Sequence, residues 1–147
     1  MSAFLALTDA VVAALDAGGA LTDGGIRRGR SIPVPTGATS AIDVHLQRSQ
    51  ADTAYLDGQA LRWDSLVGID LYARAVAGVD GEAAIDTLLA AALGRLTAAT
   101  PPAGVVAWGL DLSITWDVAE ADTTLVQASL GLRVQHFTTP SLAALTA

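Results

Sequence analysis

Residues 61–75 read LRWDSLVGIDLYARA. Trp63, Val67, Ile69, Leu71 and Ala73 fall on one side of an extended chain; Asp64, Gly68, Asp70, Tyr72 and Arg74 fall on the other. Successive side chains of a strand point to opposite faces, so this period of two predicts a strand with one face buried. Just downstream the period changes. In EAAIDTLLAAALGRL (82–96), Ile85, Leu88, Leu89, Ala92 and Leu96 recur at helical spacing. Asp80 stands where a cap belongs, Glu82 suits the first turn electrostatically, and Pro101-Pro102 closes the helix.

The reading extends in both directions. Residues 3–16 form an amphipathic helix with Phe4, Leu7, Val11, Val12 and Leu15 on its apolar face and Thr8, Asp9 and Asp16 off it. Ser2 caps its start and Gly18-Gly19 end it. IRRGR (26–30) holds a short strand around Ile26. Pro33 and Pro35 remove ladder donors, so 31–40 reads as a loop or edge excursion, within a stretch of about 25–40 expected to be mobile. AIDVHLQ (41–47) is a strand with Ile42, Val44 and Leu46 on one face and Ala41, Asp43, His45 and Gln47 on the other; Asp57-Gly58 turns into the next. VVAWGLDLSITWD (105–117) and TTLVQASLGLRVQHF (123–137) are two long strands joined by a turn at 119–122. Val106, Trp108, Leu110, Leu112, Ile114 and Trp116 make the apolar face of the first. The tail after 138 reads as loop and partial helix.

The fold class is therefore α+β: a mostly antiparallel sheet of about four to five strands, with the two main helices packed on one face, in a single domain over 1–147. The other face mixes Asp, Ser, Thr, Gln, Arg and Gly with Leu66, Tyr72 and Leu125. Such a mixture suits a protein–protein surface, and plain solvent exposure accounts for it about equally well.

Composition narrows the function. The chain has 147 residues, 52% of them hydrophobic, which excludes a disordered acidic chain. No apolar run reaches the roughly 18 residues needed to span a bilayer, and the N-terminus reads as neither signal peptide nor anchor, so no membrane partner is expected. The net charge is −7, all eight basic residues are Arg, and there is no cysteine. An acidic chain repels phosphate, so nucleic acid is not an expected ligand. Thiolate chemistry, disulfides, lysine Schiff bases and the P-loop lysine are excluded by composition. His45 and His136 are the two histidines, each in a strand run without a set of metal ligands around it. Asp111 and Asp117 share a strand face but stand about 20 Å apart at ~3.3 Å per residue, too far to act together. No catalytic, cofactor-binding or metal residues are assigned. The candidate partner contacts are Arg27, Arg28 and Arg30, whose guanidinium forks suit acidic surfaces, with Asp70, Tyr72 and Arg74 on the mixed face. Replacing Arg27 and Arg28 by Glu is expected to weaken docking without unfolding the chain.

The order and spacing of these parts carry a resemblance. A short N-terminal helix, a loop-rich 25–40 region, LRWDSLVGIDLYARAVAG, the helix EAAIDTLLAAALGRL and the closing strand LVQASLGLRVQHFTTP together resemble the tail terminator (tail completion) proteins of long-tailed bacteriophages, the kind typified by lambda minor tail protein U. The resemblance covers roughly 3–140. It places Arg74 at the end of the strand before the second helix, and His136-Phe137-Thr138-Thr139 at the end of the last strand. It departs at the Pro33/Pro35 segment. It implies a structural virion protein and not an enzyme. Copies would form a ring, generally a hexamer, that caps the tail tube at its head-proximal end, stops polymerisation and presents a surface to the head-completion or connector protein. Double-stranded DNA would pass through without specific binding, consistent with an acidic ring built from −7 chains. The alternatives are another head–tail, neck or tail-tube-like protein, and a small α+β ligand-binding domain or enzyme.

Overall fold

The computed structural model describes residues 2–29, 34–51, 60–76, 78–118 and 125–146. They form α1 (Ala3–Asp16), β1 (Ile26–Arg28), β2 (Ser40–Ala51), β3 (Leu61–Arg74), α2 (Gly81–Ala98), β4 (Val105–Val118) and β5 (Leu125–Thr138). The strands make one sheet in the order β1-β2-β3-β5-β4. β1 runs parallel to β2, and the other three pairings are antiparallel. The α+β class with both helices on one face is as expected from the sequence. The Asp57-Gly58 and 119–122 turns, and Pro33, lie outside the described residues.

Local chemistry sets the helix ends. Ser2 Oγ accepts from the Leu5 N–H at 3.4 Å, and Gly18 and Gly19 leave α1 at φ of 89° and 108°, which side chains rarely tolerate. Asp80 Oδ1 accepts from the Ala83 N–H at 2.7 Å and caps α2. Arg95, in the last turn of α2, donates to the carbonyl of Leu15 at 2.6 Å and also to that of Gly19, so one guanidinium satisfies the end of α1 and locks the helices together. Thr8 departs from expectation: it is buried, and its hydroxyl donates to the Leu5 carbonyl at 2.8 Å, which removes the penalty of burial.

The core lies between sheet and helices. Leu7, Val11 and Leu15 of α1 and Ile85, Leu89, Ala92 and Leu96 of α2 pack on Ile42, Val44, Val67, Ile69, Leu71, Ala128, Leu130, Leu132 and Val134. Each fully buried Leu or Ile contributes about 1.5–3 kcal/mol. α1 covers β1 and β2, and α2 covers β3 and β5.

That arrangement corrects one expectation. In the first half of β4, Val105, Trp108 and Leu110 pack against the core, whereas Val106, which alternation places with Trp108, is exposed because the register slips between Val105 and Ala107. Ile114, Trp116 and Val118 are exposed. β4 is the outermost strand, beyond the main footprint of α2, and its register slips between Leu110 and Ile114, so that 111–113 stand against Gly131 alone. A further slip, between Leu46 and Arg48 of β2, changes which residues face the helices: Asp43 and His45 face away, whereas Ser49 faces in opposite Ser65. The tail contains no helix among its described residues; Leu145 bridges to Thr138 instead.

Residues entering β2 are tied back to the start of β1. The Asp23 carboxylate accepts from the backbone N–H groups of Thr39 and Ser40, each at 3.0 Å, and from the Thr39 hydroxyl at 2.9 Å. These bonds, led by the Thr39 N–H, hold its carboxyl down at about 2.

Candidate functional site

The face that the helices leave uncovered carries a row of polar residues, placed by strand register. Arg27, Asp43, Asp70, Ser129 and Thr115 stand side by side across all five strands. Arg27 Nε donates to Asp43 Oδ1 at 2.8 Å, and Nη2 lies 2.8 Å from the same oxygen. Asp43 is only 1% exposed. Its desolvation pushes the carboxyl above the ordinary range; Arg27 opposes this and Asp70 adds to it. Asp70 Oδ1 accepts from the Ser129 hydroxyl at 2.6 Å, and its Oδ2 lies 3.6 Å from His45 Nδ1. Ser129 Oγ in turn accepts from Gln127 Nε2 at 3.0 Å. Asp70 thus sits between histidine and serine. In a serine–histidine–carboxylate relay the histidine stands in the middle; here the carboxylate does, so the order is not that of an activated serine.

A second polar cluster lies on the helix side. Ser65 Oγ is 2.7 Å from His136 Nε2 and 2.7 Å from Ser49 Oγ. Phe4 packs edge-on against Trp63 and His136, at centroid distances of 5.1 and 5.8 Å, and Trp63 Nε1 donates to Thr138 Oγ1 at 3.0 Å. Ser65 and His136 have the contact of a nucleophile and its base, but both are sealed beneath α1, out of reach of a substrate. Their role is packing. Desolvation holds His136 below its ordinary 6.5, with Asp64 pulling weakly the other way, so the ring is neutral at pH 7. The unfolded chain takes up this proton as pH drops through 6.5 while the fold resists it. The stabilisation is intact above 6.5 and is lost on acidification, by at most about 1.4 kcal/mol per pH unit. His136→Gln is expected to flatten the fall in melting temperature between pH 7.5 and 5; an unchanged slope would assign the fall to other groups.

The six candidate contacts do not form one patch. Arg27 and Asp70 join the polar row. Tyr72 and Arg74 continue the same side of β3, opposite Gln127 and Leu125. Arg74 Nε donates to the Ala38 carbonyl at 3.2 Å. Arg28 is on the helix side, 2.8 Å from Asp9 of α1. Arg30 lies outside the described residues. Because Arg27 is bound to a buried carboxylate, the Arg27/Arg28 double replacement would strike the fold as well as any contact. Arg28→Glu alone tests docking.

The largest unexpected feature is the outer half of β4. Trp116 is 51% exposed, with Ile114 and Val118 beside it. Trp116, Asp117 and Val118 line a groove of about 570 Å³ with Val126 and the α2 residues Glu82 and Asp86. Among the described residues there is no group of three or more His, Asp or Glu placed to hold a metal ion, and no helix long and apolar enough to cross a membrane. Exposed apolar patches rimmed by polar groups mark interaction surfaces.

No protein-family model matches the chain, and no curated protein matches it. Among solved structures, the chain is similar to a chain of the virion of a native gene transfer agent particle, with 19% identity and a TM-score of 0.48 over 90% of this chain and 88% of that one.

Proposed function

We propose that this chain is a structural virion protein of the tail terminator kind. Copies assemble into a ring, most simply a hexamer, that caps the phage tail tube at its head-proximal end, ends polymerisation and offers a joining surface to the head-completion protein. The observation that carries this reading is the exposed apolar run of β4. A strand edge with Ile114, Trp116 and Val118 open to water is a liability for a monomer and an asset for an assembling subunit. The order and spacing of helices and strands, which resemble the terminator family, supply the identity of the assembly. Packing accounts for both polar clusters, so neither calls for catalysis.

Light scattering after size exclusion, over a range of concentrations and with negative-stain images, tests the reading. Closed rings of one size, which bind one end of tail tubes and halt their growth, are expected. Open filaments would favour a tube protein instead. A strict monomer that leaves tube growth unchanged would overturn the proposal.

A further inference from the structure

The two edges of the sheet differ in their exposed charge. β4 contains Asp111 and Asp117 and no basic residue, and its groove adds Glu82 and Asp86. The other edge carries Arg28 on β1 and Arg48 on β2, both exposed. Among the described residues there, Arg27 is neutralised by the buried Asp43, Arg28 is paired with Asp9, and the exposed Asp23 stands just before β1, so the exposed cation of the outer 46–51 segment is Arg48. β1 is short: it pairs only Ile42–Val44 of β2, and among the described residues no strand pairs the outer edge of 46–51. Leu46 is exposed there on the helix side, and Arg48, opposite Leu66, is exposed on the other side of the same edge. An apolar acidic edge and an edge segment that exposes Leu46 and the cation Arg48 therefore lie on opposite sides of one sheet.

We infer that the occupant of the β4 edge is a second copy of this chain, joined head to tail: Ile114–Val118 and the groove beside α2 receive the Leu46–Arg48 edge of the next subunit. The inference rests on the ring reading above and specifies its subunit contact. Pairing of β4 with β4 would bring Asp111, Asp117, Glu82 and Asp86 against their own copies, and like charges in close contact repel. A head-to-tail contact matches opposite charges and leaves each subunit with one unused edge. Such a heterologous contact closes into a ring when the rotation allows it. Main-chain pairing at the open edges supplies adhesion, and Trp116 supplies the buried anchor.

Complementation of edge variants tests this. Trp116→Asp spoils the β4 edge and leaves the β2 edge intact; Arg48→Glu does the reverse. Both positions are exposed, and melting curves within a few degrees of the parent would verify folding. Each variant alone is expected to lose self-association by at least about 30-fold, the effect of removing an interface anchor. Mixed in equal amounts, the two are expected to form dimers and stop there, because one productive pairing remains. Rings that survive both substitutions would overturn this contact and leave the ring reading standing. Assembly lost with Trp116→Asp but unaffected by Arg48→Glu would overturn the head-to-tail assignment. A parent protein that is monomeric at every concentration would overturn both.

Discussion

Replacement of Arg27 by methionine is expected to destabilise the fold by about 3–5 kcal/mol near neutral pH, the cost of leaving one member of a buried ion pair alone. Nε and Nη2 of Arg27 both approach Asp43 Oδ1 at 2.8 Å, and the carboxylate is buried. Arg27 is the charge that opposes the upward push of desolvation on Asp43, and Asp70 opposite cannot take its place because it repels. Without Arg27 the carboxyl is driven further up. A group whose folded value lies above its ordinary 3.8 stabilises below 3.8 and loses that contribution as pH rises. The deficit of Arg27→Met should therefore be smallest near pH 4 and grow toward neutrality. Urea denaturation of parent and variant from pH 4 to 7.5 measures it. A companion Arg27→Met/Asp43→Leu chain should recover most of the loss, since an apolar pair of similar size often substitutes well for a buried ion pair. A deficit below about 1 kcal/mol that does not change with pH would show that the pair contributes little.

The same pair shows where sequence reading stops. The bounds of α1 and α2 were legible because caps, glycines and the helical stripe are local signals: Ser2, Asp80 and the Ile85–Leu96 stripe act within a few residues of one another. The faces of β3 were legible for the same reason. Arg27 and Asp43, in contrast, are sixteen residues apart and meet through the parallel β1–β2 pairing, so Arg27 read as a surface contact and Asp43 only as one residue of the second face of its strand. The alternation Ile114/Trp116 in β4 has the same form as Leu130/Leu132 in β5. Period tells which side chains share a face. It does not tell whether anything covers that face, which depends on strand order, and the order β1-β2-β3-β5-β4 leaves β4 outermost. The candidate contact residues share this origin. Their residue types were visible, whereas the exposed edge that makes a contact surface is a non-local property.

Gly68→Val is expected to cost about 3 kcal/mol, because the central strand has no room for a side chain at this position. Gly68 pairs with His45 on one side and Gly131 on the other, and the His45 imidazole occupies the space that a side chain at Gly68 would need. A Cβ at Gly68 would overlap His45 Nε2 and stand 2.6 Å from Cε1 and 3.1 Å from Cδ2. The ring has little freedom to withdraw, since it is buried beside Asp70. Valine otherwise suits a strand better than glycine, so the steric term alone makes the change unfavourable. Removing the ring should reverse much of the penalty: in a His45→Ala background the same Gly68→Val change should cost about 2 kcal/mol less, with the new side chain filling part of the vacated space. Equilibrium unfolding of the two single variants and the double variant gives this coupling directly. Costs that add to within about 0.5 kcal/mol would mean that the ring is not the obstacle. Strong coupling would instead establish that the glycine is required by the histidine lying over it, and that the polar row beside it is held by packing as much as by charge.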